Sequence, residues 1–194
     1  LSQFVKTKKK AKKGLCEKLS FNCGMPLVGL VIDNELDNSQ KNIIEKFLEG
    51  TAALDIEIVV VADTNLDSFS FPHVHFVPYS EKNRKEIIGA SDIMIALPFN
   101  DVEEMLFNGA VPVCNENPIV SDYNPNSEAG NAFIYGDIGN SQNTAHYKIF
   151  ASLVRALETF RFPYDWKNII LSGLESTKKI KTFLVRFDSL KRMI

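Results

Sequence analysis

Residue types that could bind a ligand or catalyse a reaction lie close together in segment 91–113, SDIMIALPFNDVEEMLFNGAVPV. The pattern predicts a buried strand, a tight turn, a helix and a second strand. Glu103 and Glu104 follow the turn, where α/β proteins bind ligands, and paired carboxylates can serve general acid–base catalysis. We favour a simpler interpretation, in which both glutamates complement the helix dipole and Asn100 or Asp101 is the N-cap. The sequence therefore predicts no catalytic residue here.

Nucleophilic and metal-binding residue types are present without a useful spacing. The three cysteines show no CxxC pattern, and the three histidines have no matching cysteine pattern. No serine or cysteine stands at a nucleophile–base spacing from a histidine. We expect neither a metal site nor a cofactor, and we interpret Cys114 as a small buried hydrophobe.

The composition is that of an ordinary globular chain. Of 194 residues, 45% are hydrophobic and 24% are charged, which predicts one domain with a buried core. The net charge of -2 and the short apolar runs give no reason to expect nucleic-acid or membrane binding. Few unpatterned cysteines and no visible signal peptide predict a cytoplasmic protein. Because Leu1 is not an initiator residue, we expect a piece of a longer protein.

A basic run, KTKKKAKK, holds six lysines between Lys6 and Lys13. It could be a patch for an anionic partner, or the solvated first turns of a helix that continues through GLCEKLSF. We favour the helix, because isolated charge runs usually only solubilise a chain.

Predicted strands and helices alternate along the chain. Six short apolar runs read as strands, within MPLVGLVID, DIEIVVVADT, HVHFVPYS, DIMIALPF, AVPVCN and NAFIYG. Helical periodicity follows or separates most of them, and two further helical segments, DWKNIILSGLE and TKKIKTFLVRFDSLKRMI, end the chain. This order predicts a Rossmann-like three-layer α/β domain with a parallel sheet of about six strands.

Five segments, taken in order, resemble the carboxyl-terminal half of bacterial glycogen synthase and starch synthase, two-domain glycosyltransferases of the GT-B fold. They are KKKAKKGLCEKLSF, PYSEKNRKEIIGASDIMIALP, NGAVPV, VSDYNPNSEAGNAFIY and LVRALETFRFPYDWKNIILSGLES. The resemblance covers nearly the whole chain. It implies that residues 1–194 form one GT-B carboxyl-terminal domain, with a linker helix at 1–22 and a terminal helix at 176–194.

In that family a nucleoside-diphosphate glucose lies between the two halves, and glucose passes to the end of an α-1,4-glucan. An arginine, a lysine and backbone amides contact the diphosphate, and carboxylates contact the sugar. In this chain Lys41 matches the lysine, but Glu35 stands where the arginine is expected. A negative charge there opposes the binding of a diphosphate.

Other donor-facing motifs of the family have also changed. The Glu-Pro-Cys-Gly-Leu motif after the fourth strand is absent, because the helix begins about seven residues early. The loop after the fifth strand, CNENPIVSD, has lost both glycines, and its Pro118 has no backbone N–H to donate. The turn after the second strand, VADTN, has no glycine either.

Two further positions still match. Tyr79 stands where the family has a tyrosine near the adenine ring, and Glu81 matches a glutamate two residues later. Their simpler interpretations are a strand-end aromatic and the start of a helix. The resemblance thus implies that Lys41, Tyr79 and Glu81 are the remains of a nucleotide-sugar site.

Three functional hypotheses follow. We favour a glycogen/starch-synthase-like domain that is catalytically degenerate and serves as a partner-binding or scaffold module, because the scaffold is retained while the donor loops are not. The alternative is the donor-binding half of an active ADP-glucose or UDP-glucose dependent α-1,4-glucan glucosyltransferase, inactive without its amino-terminal half. The third is a reduced nucleotide- or glycan-binding module.

The end of the chain predicts one more contact. Its apolar residues recur at helical spacing, at Ile180, Phe183, Leu184 and Phe187. We expect them to pack on a missing amino-terminal half, on their own domain or on a second copy of the chain.

Overall fold

The computed structural model describes the backbone of residues 2–63, 70–98, 100–136 and 144–191, and side chains within 4–178 of these ranges. The strands are β1 (Leu27–Ile32), β2 (Glu57–Ala62), β3 (Val74–Pro78), β4 (Ile93–Ile95), β5 (Val111–Cys114) and β6 (Phe133–Ile134). The α-helices are α1 (Ser2–Leu19), α2 (Asn38–Gly50), α3 (Glu81–Ala90), α4 (Val102–Phe107), α5 (Ala145–Phe160) and α6 (Pro163–Lys191), and a 3₁₀ turn spans Thr51–Ala53.

The six strands form one sheet in the order β3-β2-β1-β4-β5-β6, and every pairing between them is parallel. This confirms the predicted Rossmann-like parallel sheet of six strands. Successive strands are added on one side of β1 as far as β3 and then on its other side from β4 to β6, so the strand order reverses between β1 and β4. In sheets of this kind, ligands bind outside the carboxyl ends of the strands at this switch point.

Helices cover both faces of the sheet, so the strands are buried on both sides. Along β1, Val28, Leu30 and Ile32 face the cluster that α2, α5 and the start of α6 complete. Leu27 and Val31 face the opposite cluster, with α1, α3 and α4. The alternation explains why these strands read as continuous apolar runs.

The last helix differs from the sequence prediction. The sequence predicts two helical segments after residue 164, whereas the structure has one helix, α6. Ser176 and Thr177, where the break was expected, donate their hydroxyls to the carbonyls of Ser172 and Leu174, so both polar groups are satisfied inside the helix. Gly173 lets α6 approach Leu106 of α4 closely, since a Cβ there would lie 2.8 Å from Leu106 Cδ2.

The predicted contact of Ile180, Phe183, Leu184 and Phe187 concerns side chains outside the described part of the structure. No helix among the described residues is both long and apolar enough to span a membrane.

Candidate functional site

The fold places the candidate site at the carboxyl edge of the sheet, which we define as the ends of β1 and β4 and the turns that follow them. The turn after β1 leads into α2, and the turn after β4 leads into α4. Parallel strands aim both turns at the same crevice.

Asn100 joins the turn after β4 to the end of β1. Its side-chain amide donates to the Val31 carbonyl of β1 at 3.2 Å, and its oxygen accepts from the Leu97 N–H at 2.7 Å. Both backbone groups belong to the crevice in which the fold would bind a ligand. The chain's own side chain therefore bonds backbone groups of both strand ends at the switch point.

Tyr135 closes the neighbouring part of the edge. It follows β6, is 5% exposed, and donates its hydroxyl to the Ala96 carbonyl at 2.9 Å. Burial raises the pKa of this phenol, so it stays protonated and keeps donating. The carbonyl just beyond β4 is thus satisfied without a ligand.

The helix after β4 is too short and too acidic to bind a phosphate well. Helix α4 has six residues, and Asp101 is its N-cap, accepting from the Glu104 N–H at 3.1 Å. This confirms the second of the two predicted caps. Glu103 and Glu104 lie in the first turn, and Glu104 forms an ion pair with Arg84 of α3. The hydrogen bond to Glu104 raises the pKa of Arg84 above its usual value, so Arg84 stays charged. Its charge is already paired with the Glu104 carboxylate.

The amino end of α2 is capped in the same self-contained way. Asp37 accepts from the Gln40 N–H at 2.8 Å, while the Gln40 side chain accepts from the Asp37 N–H at 2.9 Å. This capping box satisfies backbone donors that an incoming phosphate would need. Glu35 and Asp37 are both exposed beside it, so the local charge is negative.

Two of the three predicted donor positions, Tyr79 and Glu81, contact each other. Lys41 is half-buried on α2, on one face of the sheet, and its side chain has no ion pair among the residues that the structure describes. Tyr79 packs at the edge of the cluster on the opposite face and donates its hydroxyl to Glu81 at 3.0 Å. That hydrogen bond raises the pKa of Tyr79. The structure therefore pairs Tyr79 with Glu81 and leaves Lys41 apart.

The loop after β5 carries a shallow recess of about 470 Å³. Glu116 and Pro118 are among its lining residues, and the lining residues that the structure describes include no lysine or arginine. Cys114, at the end of β5, is buried, and burial raises its pKa to about 12, which fits the predicted role of a small hydrophobe. Within 2–63, 70–98, 100–136 and 144–191, no three His, Cys, Asp or Glu residues are grouped as metal ligands.

The sequence interpretation missed the hydrogen bonds of three residues: Asn100, Tyr135 and Arg84. The sequence predicts Asn100 only as one of two alternative caps of the helix after β4. Its position directly after a buried strand, two residues beyond a proline, was the only local signal. The partners of Asn100 and Tyr135 on β1 and after β4 lie 69 and 39 residues away, so no spacing could show them.

Comparison with solved structures finds the same fold at low sequence identity. A UDP-forming α,α-trehalose-phosphate synthase from Burkholderia xenovorans matches with a TM-score of 0.53 and 11% identity over 94% of this chain and 49% of that one. A structure described as trehalose-6-phosphate from E. coli bound with UDP-2-fluoro glucose gives 0.54 and 15% over 96% and 50%. The spinosyn forosaminyltransferase SpnP gives 0.55 and 17% over 88% and 45%.

No protein-family model matches the chain, and no curated protein matches it in sequence. The chain spans about half the length of each of these three structures. They are GT-B glycosyltransferases. The chain thus has the α/β fold of one half of a GT-B glycosyltransferase.

Proposed function

We propose that this chain is a catalytically degenerate, glycogen/starch-synthase-like GT-B carboxyl-terminal domain that serves as a partner-binding or scaffold module. Lys41, Tyr79 and Glu81 are its vestigial donor positions, and it has no catalytic residue. The observation that carries the proposal is the pair of hydrogen bonds that Asn100 makes to Val31 and Leu97. A donor that entered the crevice would have to displace them.

Charge supports the same conclusion. Acidic residues follow both strands of the switch point: Asp33, Glu35, Asp37, Asp101, Glu103 and Glu104. Arg84 of α3, which could supply a cation, is paired with Glu104. A nucleoside diphosphate carries two or more negative charges, so it would meet repulsion where a working site supplies cations.

A second candidate is the donor-binding half of an active ADP-glucose or UDP-glucose dependent α-1,4-glucan glucosyltransferase. It is supported by the half-length match to GT-B enzymes, and the E. coli neighbour is bound with UDP-2-fluoro glucose. On this proposal the partners are a nucleotide-sugar donor, an α-glucan and an amino-terminal half or a second copy of the chain. Helix α1, within 1–22, would then link the halves, and the carboxyl-terminal part of α6 would take the role predicted for a terminal helix at 176–194.

A third candidate is a reduced nucleotide- or glycan-binding module. Lys41, which has no described ion pair, and the partly exposed ring of Tyr79 favour it. Because they lie on opposite faces of the sheet, a bound nucleotide would have to bridge the crevice between them.

A thermal-shift titration with ADP, UDP, ADP-glucose and UDP-glucose separates these candidates. A ligand present at about 100 times its Kd stabilises a protein by about 2.7 kcal/mol, which is easily seen. The degenerate domain should show no saturable shift at millimolar ligand. A saturable shift that disappears in Lys41→Ala would favour the third candidate, and glucose transfer to glycogen by a longer form of the protein would overturn the first.

A further inference from the structure

A cavity of about 480 Å³ opens at the opposite end of the sheet from the donor crevice. We call this end the amino edge, because Asp92, one of the lining residues, immediately precedes β4. The cavity lies between the first turns of α1 and the first turns of α6. It shares no lining residue with the carboxyl edge, so it is independent of the proposed function.

The walls of this cavity are apolar. Phe4 and Val5 line it from α1, and Phe160, Trp166 and Ile170 line it from α5 and α6. Trp166 is only 8% exposed, and its ring meets Phe160 edge-on at 5.1 Å between centroids. A wall fixed by such packing offers a preformed surface to an apolar ligand.

Lysines surround these walls. Four lysines and one aspartate line the cavity, namely Lys8, Lys9, Lys12, Lys167 and Asp92. Lys12 is already used, because it pairs with Asp92 at 2.7 Å and donates to the Met25 carbonyl at 2.6 Å. Lys8 is also used, since it donates to the carbonyls of Gly89 and Asn108.

Lys9 and Lys167 remain available. Both are exposed, and neither forms an ion pair with any residue that the structure describes. They project from different helices, α1 and α6, which bound the same cavity. Two uncompensated cations beside an apolar chamber complement a molecule with an apolar body and an anionic head.

We propose that this cavity binds a small amphipathic anion, a hydrocarbon body carrying one carboxylate or phosphate, with the body against Trp166 and Phe160 and the head between Lys9 and Lys167. The volume falls within the range of small-molecule pockets, about 300–1,000 Å³, which favours a small ligand over a protein partner. The single aspartate does not repel the head, because Lys12 neutralises it.

Trp166 makes the test direct, because it is the only tryptophan of the chain and lines the cavity. Dodecanoate, dodecyl phosphate and dodecanol are titrated separately, below their micelle concentrations, while the fluorescence of Trp166 is followed. We expect a saturable change with at least one of the two anions and about tenfold weaker binding of the neutral alcohol. The relative affinity of the two anions distinguishes the carboxylate from the phosphate head.

Charge variants at the rim test the head-group site. Lys9→Gln combined with Lys167→Gln should weaken binding of the preferred anion about tenfold and leave dodecanol unchanged. Lys85→Gln, an exposed lysine on α3, is the matched control and should bind as the wild type does. Val5→Glu should also weaken anion binding, because it places a carboxylate in the wall of the cavity, at a residue 36% exposed, where folding is tolerant.

The proposal is overturned if no anion gives a saturable signal, if dodecanol binds as tightly as the anions, or if the lysine variants bind the anion unchanged. Failure of this test leaves the donor-site proposal untouched, because the titrations with nucleotides use other residues.

Discussion

At the carboxyl edge of the sheet, Asn100 and Tyr135 bond the backbone just where strands β1 and β4 end, whereas at the amino edge a cavity of about 480 Å³ stays open between α1 and α6. The carboxyl edge is acidic, and its helices α2 and α4 are capped by the chain's own side chains. The amino edge is lined by apolar residues and lysines. At the edge where this fold binds ligands, side chains of the chain itself therefore bond the backbone. A scaffold can be retained while the chemistry at its usual site is replaced.

The largest expected effect concerns Lys8 at the amino edge. Burial lowers the pKa of Lys8 from 10.5 to about 8. In the unfolded chain the ammonium keeps its proton to higher pH, so the unfolded state binds more protons between these two values and folding stability rises with pH. We expect the free energy of unfolding to rise, relative to that of Lys8→Met, by up to about 3 kcal/mol across this window.

The measurement is urea unfolding of both proteins at a series of pH values from neutral to alkaline. Lys85→Met, which removes an exposed lysine of α3, should show no such change relative to the wild type. If the difference in the free energy of unfolding between wild type and Lys8→Met stays constant or falls as the pH rises, the lowered pKa of Lys8 is wrong.

The next effect tests the carboxyl edge. Asn100→Ala leaves the Val31 carbonyl and the Leu97 N–H without their partner, so we expect a loss of about 1–3 kcal/mol in the free energy of unfolding. Asn42→Ala, at an exposed position on α2, is the control and should stay within about 0.5 kcal/mol of wild type. An equally small loss for Asn100→Ala would mean that Asn100 does not hold the edge together.

A smaller effect is expected at the cap of α2. Asp37→Ala removes the side chain that accepts from the Gln40 N–H, and loss of such a cap typically costs about 1 kcal/mol. Chemical denaturation measures it, with Asp55→Ala as an exposed acidic control. If Asp37→Ala instead stabilises the protein, repulsion among the acidic residues outweighs the capping box.

The sheet was predictable from the sequence, and the state of its edges was not. Six apolar runs separated by helical periodicity specify six strands, and the sequence narrows the cap of α4 to Asn100 or Asp101, of which the structure has Asp101. The bonds of Asn100 and Tyr135 depend on which strands become neighbours, and sequence order does not reveal this. The amino-edge cavity draws Phe4 and Ile170 from opposite ends of the chain, so no local pattern could indicate it.

Helix α6 shows a different kind of error. The local sequence predicted two helical segments, but the structure has one continuous helix. Only Ser176 separates the two predicted helical segments, and Gly173, Ser176 and Thr177 are all weak helix formers. Packing of Gly173 against Leu106 and the two hydroxyl bonds to the preceding turn remove the penalty for continuing. Tertiary contacts decided the helix length here.

The most direct test of the account follows backbone amides by NMR while UDP-glucose or ADP-glucose is added to millimolar concentration. If the carboxyl edge is closed to a donor, the amides of Leu97, Asn100 and Lys41 will not shift. Saturable shifts that cluster at these three amides would contradict the account, because they would mean that a nucleotide sugar enters the crevice that Asn100 bridges.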